Sequence, residues 1–144
     1  MALVGVLAGL SLPSVTSGLD SLRLRSASDG VVAFLNTAID RANRRQQPVE
    51  IWISPAANAL TARSADPGFE RRLDVPAPIR IVSVVPPLAD DPGRAAGEPP
   101  RRFLLYPGGA LPRIGVEIAN QAGRRRLVFI DPVAGSSRSE VLPR

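Results

Sequence analysis

The sequence predicts an α+β fold in which one long N-terminal helix packs on an antiparallel β-sheet head. Three observations carry this. Residues 14–47 contain no proline, and their apolar side chains recur every three or four positions. From Pro48 the recurrence changes to every second residue. No helical period returns after residue 47, so strand–helix–strand alternation and a parallel sheet are not expected.

The helix has two parts. Residues 1–12 are uncharged and almost wholly apolar, too short to cross a bilayer, which takes about 20 apolar residues. Such a stub reads as a buried helix, as a signal-peptide core that lacks its basic n-region, or as the second half of a membrane helix. The amphipathic pattern behind it favours the last. Leu24, Ala27, Val31, Leu35, Ala38 and Ala42 form one stripe, widened by Val32 and Ile39. Leu24, Val31, Leu35 and Ile39 are the expected helix–sheet contacts. Arg23, Arg25, Ser28, Asp29, Asn36, Asp40, Arg41 and Arg44 take the opposite face. Pro13 is expected to kink the helix without ending it, and Pro48 to stop it. At about 1.5 Å per residue the arm reaches about 70 Å. The division is thus 1–46 for the helix, with 1–15 as membrane or filament-core segment and 16–46 amphipathic, and 47–144 for the head.

The head reads as short strands and turns. "PVEIWIS" alternates Val49, Ile51 and Ile53 against Glu50, Trp52 and Ser54, and "ANALTAR" pairs back on it across "SPAAN". "FERRLDV" and "IRIVSVV" follow, separated by "PAP". Residues 86–100 are rich in Pro, Gly and Asp and read as a long exposed loop. "RRFLLYP" resumes a strand. "RIGVEIAN" and "RRRLVFID" form a hairpin with Ile114, Val116 and Ile118 on one face and Leu127 and Phe129 as their partner row. "SEVLP" supplies a last short strand.

Composition excludes several chemistries. The 144 residues contain no Cys, no His and no Lys. Disulfides, thiolate zinc sites, histidine general bases and Ser–Lys catalysis are therefore out of reach. No two acids sit in a recognisable glycosidase frame, so no enzyme and no cofactor is expected. Net charge is +5, carried wholly by Arg, with pairs or runs at 44–45, 71–72, 101–102 and 124–126. No aromatic residues interleave them, so they read as solvated strand ends, not as a nucleic-acid surface. Asp90, Asp91 and Asp131 lack calcium-loop spacing and read as turn residues, so no metal is expected. Gly108 and Gly109 read as a turn without the helix start that a phosphate cradle needs. Trp52, on the outward face of its strand, is a possible head interface.

"VVAFLNTAIDRANRRQQPVEIWIS" resembles the helix end and first strand of type II secretion minor pseudopilins of the GspH/FimT-like kind, within the type IV pilin-like superfamily. "RRFLLYPGGALPRIGVEIAN" and "RRRLVFIDPVAGSSRSEV" resemble that family's middle hairpin and closing strand. The resemblance implies a pilin-like fold and a structural minor pseudopilin of a periplasmic pseudopilus that assists protein export. It implies a single pass through a bacterial inner membrane with the head in the periplasm. Its partners would be other pseudopilins, the inner-membrane assembly platform and, at the head, exported proteins; nucleic acid is not among them. The family's leader, processing site and early acidic residue are missing from the sequence as it stands. Leu3, Gly5, Leu7, Gly9 and Leu12 then become the filament-packing residues, with Gly5 and Gly9 in small-xxx-small spacing. Two alternatives stay open: a FimT-like minor pilin of a type IV pilus, and a soluble non-filament β-rich binding module whose first helix is only core.

Overall fold

A computed structural model describes the backbone of residues 2–65, 68–87 and 99–143, and side chains from residue 17 onward within those stretches. Among the described residues one helix, α1 (Ala2–Arg45), precedes eight strands: β1 (Val49–Ser54), β2 (Ala59–Ser64), β3 (Glu70–Asp74), β4 (Arg80–Val85), β5 (Arg101–Leu105), β6 (Gly115–Ala119), β7 (Arg125–Asp131) and β8 (Ser136–Val141). The helix runs without interruption through Pro13. Arg44 and Arg45 occupy its last turn, where cations complement the carbonyl end of the helix dipole.

The predicted fold class needs correction. The strands form two antiparallel four-stranded sheets, ordered β3-β2-β1-β5 and β4-β6-β7-β8. Among the described residues this is a mostly-β fold with a single helix, and not a pilin-like helix on one sheet. The chain changes sheet between β3 and β4, returns for β5, and changes again before β6. The first change falls at the Pro76–Pro78 stretch, and the second crosses the Pro-rich residues 86–100, of which 88–98 lie outside the described residues. Proline cannot donate to a ladder, so Pro76, Pro78 and Pro86 end pairing on one sheet and leave the next strand to pair elsewhere.

Each sheet turns one row of every strand inward. In β1, Val49, Ile51 and Ile53 are buried while Glu50, Trp52 and Ser54 are not. In β6, Val116 and Ile118 are buried, as is Ile114 just before it. Their partner row is shifted by one residue from the expectation. Val116 pairs with Val128, and the Ile130 amide donates to the Ile114 carbonyl at 3.0 Å, so Val128 and Ile130 face inward. Leu127 and Phe129 sit on the half-exposed face instead. The hairpin turn sets this register. Asn120 and Arg124 close it with a 3.0 Å backbone bond around three residues, the last of which is Gly123 at φ 81°. Three-residue hairpin loops need such a left-handed position, and one residue more or less would reverse every side chain beyond.

The helix touches both sheets, chiefly β7 and β8 of the second and β1 of the first. Leu24, Ala27, Val31, Leu35, Ala38, Ile39 and Ala42 join the inward rows of both sheets in one hydrophobic cluster. Among the described side chains the buried stripe begins at Leu24, Leu19 and Leu22 are exposed, and Ser28, expected on the opposite face, is buried beside the stripe. Two asparagines weld the parts. Asn36 Oδ1 accepts the Ser137 amide at 2.7 Å, and Ser137 Oγ donates to the Val32 carbonyl at 2.8 Å, which fastens β8 to α1. Asn36→Ala leaves the amide of the buried strand residue Ser137 unpaired. We expect a loss of about 1–3 kcal/mol, read from urea unfolding, with Asn36→Asp retaining more stability because it keeps the acceptor.

Asn58 fastens the first sheet to the second. It ends the β1–β2 turn at φ 52°, a left-handed conformation that Asn tolerates better than most residues. Its amide nitrogen donates to the Val75 and Ile79 carbonyls at 3.1 and 2.9 Å, and its Oδ1 accepts from the Ile81 amide at 2.7 Å. The Val75 amide also donates to the Asn58 carbonyl at 2.9 Å. One side chain thus holds the crossover from β3 into β4.

Candidate functional site

The outward face of the first sheet carries Trp52. Strand register places it between Thr61 of β2 and Arg102 of β5, with Arg72 of β3 beyond Thr61. The Arg102 guanidinium lies 6.0 Å from the Trp52 ring centroid and also pairs with Glu50. Arg63–Glu70 at 3.2 Å and Arg72–Asp74 at 2.9 Å complete a layer of cross-strand and same-strand ion pairs around the ring. Opposite charges on neighbouring strands each add a few tenths of a kcal/mol at exposed sites. Trp52 is half-exposed on a face turned away from the inward row of β1, beside a shallow hollow that Pro100 helps to line.

The arginine runs are mostly engaged with neighbours. Arg125 pairs with Glu117 at 2.8 Å, and Glu117 also accepts from Ser83 Oγ at 2.8 Å. Arg101 donates to the Pro86 carbonyl and stacks 5.3 Å from the Phe103 ring. Arg124 donates to Ser21 Oγ of the helix at 3.0 Å, and Arg126 to Ser139 Oγ at 3.2 Å. At the far end of the helix, Arg41 stacks 4.5 Å from Phe69, beside Arg44, Arg45 and Arg71.

Asp131 is a turn residue. Its Oδ1 accepts from the Ala134 amide at 3.3 Å and the Val133 amide at 2.9 Å, and Oδ2 meets Arg138 at 3.0 Å. The Ala134 and Val133 amides, with Arg138 adding charge, hold its carboxyl below the usual aspartate range. A carboxyl depressed on folding stabilises the fold above its unfolded pKa, and that stabilisation is lost as pH falls through the folded value. Asp131→Asn is therefore expected to melt lower than wild type near neutrality. The gap should close on acidification in a series of melts against pH; a gap that widens towards acid contradicts the assignment. Asp90 and Asp91 lie outside the described residues. Among the described residues no three or more acids cluster as metal ligands would.

Gly108, at φ 63°, sits in the turn after β5 and donates its amide to Asn43 Oδ1 at 3.3 Å, so this turn is fastened to the last turns of α1. Of the residues expected to act at the helix, Leu24, Val31, Leu35 and Ile39 are all buried in the common core. The side chains of Leu3, Gly5, Leu7, Gly9 and Leu12 lie outside the described residues. The structure brings Trp52 together with Arg102, but not with the helix. Sequence reasoning missed Asn36, Asn43 and Asn58, the three residues that tie helix, turns and sheets together. The position of Asn58 at the end of a Pro-Ala-Ala-Asn turn was the one available signal, since Asn favours turns and left-handed backbone.

The chain matches no protein-family model, no curated protein and no solved structure.

Proposed function

We propose that this chain is a structural subunit that assembles through the N-terminal half of α1 and carries the two-sheet body outside the assembly. The carrying observation is the helix itself. It is one element from Ala2 to Arg45, and among its described side chains, which start at residue 17, the buried stripe begins at Leu24, with Leu19 and Leu22 exposed ahead of it. A helix whose rear half is fully used by the body and whose front half is apolar has a surface to offer other helices. The order of sequence motifs supports the finer reading, a minor pseudopilin of a type II secretion system held in a bacterial inner membrane before assembly. A minor pilin of a type IV pilus fits the same features. Among the described residues no helix is long and apolar enough to cross a membrane by itself, so the front half is proposed to enter the bilayer in company with other helices.

Gly5 and Gly9 test this. Gly9→Leu puts a large side chain into the small-xxx-small face that close helix approach requires. Measured by mass in detergent micelles, wild type is expected to self-associate or to join co-expressed pseudopilins. Gly9→Leu should weaken that association at least about tenfold, a cost of about 1.4 kcal/mol. Identical, purely monomeric behaviour of both chains overturns the reading in favour of a non-filament binding module.

A further inference from the structure

The structure points to a second feature at the level where the apolar half of the helix ends. Between α1 and the β6–β7 end of the second sheet lies a half-open hollow of about 250 Å³. Its apolar walls are Leu24, Val141, Leu142 and Pro143, and Arg124, Arg125 and Arg126 also line it. Strand register explains why Arg124 and Arg126 face the helix. Arg126 pairs with Ile118 and therefore sits on the inward row, and Arg124 lies two residues before it on the same side. Arg125, on the opposite row, is neutralised by Glu117. Among the described residues neither Arg124 nor Arg126 has an ion-pair partner; each reaches one serine hydroxyl. The Arg126 Nε is buried with no hydrogen-bond partner. The nearest acid along the helix, Asp20, is met by Arg23 at 3.9 Å. Leu19 and Leu22 are 47 % and 62 % exposed at this same level.

We propose that this hollow seats the phosphate head group of an anionic phospholipid. The inference rests on the membrane reading of the front half of α1 given above. Two guanidinia without carboxylates and a buried unpaired N–H call for an anion with several acceptor oxygens, and phosphate supplies these in the geometry that Arg prefers. Apolar walls beside the charges suit a molecule with an acyl chain beneath its head group. Exposed leucines at the level of the hollow would sit in the interfacial layer, and basic residues there gain from the negative surface potential of anionic lipid.

The test is flotation of the full chain with vesicles of phosphatidylcholine alone and of phosphatidylcholine mixed with phosphatidylglycerol. Wild type is expected to prefer the anionic vesicles at least about tenfold, the effect of two arginines near a charged surface. R124Q/R126Q should lose that preference while still floating with neutral vesicles, and R124K/R126K should keep most of it. R44Q/R45Q removes the same net charge at the other end of the helix and should keep it too. A thermal melt of each variant establishes that it is folded. Equal loss in R44Q/R45Q makes the effect one of net charge and overturns the site. Wild type that floats equally with both vesicles also overturns it, and leaves the membrane reading standing. Wild type that floats with neither vesicle overturns the membrane reading itself. Calorimetric titration with inorganic phosphate separates the sources: tight binding of free phosphate without anionic-lipid preference assigns the hollow to a soluble anion and overturns the lipid.

Discussion

Truncation of Leu35 to alanine is expected to destabilise the body by about 2–5 kcal/mol, the range for a fully enclosed leucine. Leu35 is 0 % exposed and lies midway along the buried stripe, between Val31 and Ile39. The cluster around it draws on α1 and on both sheets, so no single element can relax into the space left behind. The expected fall in melting temperature is about 5–15 °C for a chain of this size. Leu22→Ala is the matched control: Leu22 lies on the same helix but is 62 % exposed, and its truncation should stay within about 0.5 kcal/mol. Equal effects at the two positions contradict the packing described. So does an Ile39→Ala variant that loses nothing.

Replacing Asn58 with alanine is expected to have the next largest effect, about 3 kcal/mol. Three hydrogen bonds go with the side chain, to Val75, Ile79 and Ile81. Each is worth about 1 kcal/mol net, and more where a buried backbone group is left unpaired. Ile79 and Ile81 are themselves buried, so water cannot freely replace the lost partner. Alanine must also hold φ 52°, which costs a further ~1 kcal/mol. The two contributions separate experimentally. Asn58→Gly removes the hydrogen bonds but accepts the backbone conformation, so it should fall between wild type and Asn58→Ala. Asn58→Asp keeps the acceptor for Ile81 and loses both donors. Amide exchange at Ile81 is the local readout: the variants should lose protection there before β6 and β7 lose theirs. Uniform loss across both sheets would show that Asn58 does not act at the crossover.

Most of the elements were legible in the sequence, and the way they assemble was not. The helix stripe from Leu24 to Ala42 and the alternation in β1 follow from side-chain period alone, because a helix or strand can bury only one face. β4, β6 and β7 were visible for the same reason, whereas β8, which buries no apolar row, was read three residues late, at 139–143 instead of Ser136–Val141. Which strands share a sheet was hidden, because alternation records that a row is buried but not against what. The division into two sheets depends on where proline ends pairing, at Pro76, Pro78 and Pro86, and on Asn58 catching the crossover. The one-residue slip in β7 has a similar origin. Leu127 and Phe129 are as apolar as Val128 and Ile130, so composition could not choose between the rows, and the loop closed by Asn120 and Arg124 did. Trp52 was rightly placed on the outer face of its strand, whereas its arginine neighbours come from strands distant in sequence. The hollow beside Ser21 was invisible for the same reason, since it joins the helix to Arg124, roughly 100 residues later.

The front half of α1 is proposed above to be an assembly surface. The natural absence of cysteine makes the direct measurement clean. Single cysteines introduced one at a time at positions 3 to 12 can be oxidised in membranes of cells producing the full chain, and crosslinked pairs counted by gel. The account predicts that crosslinks to a second copy or to a co-expressed subunit recur every three or four positions, strongest near Gly5 and Gly9. Crosslinking that is absent at every position, or even along the whole segment, would contradict it.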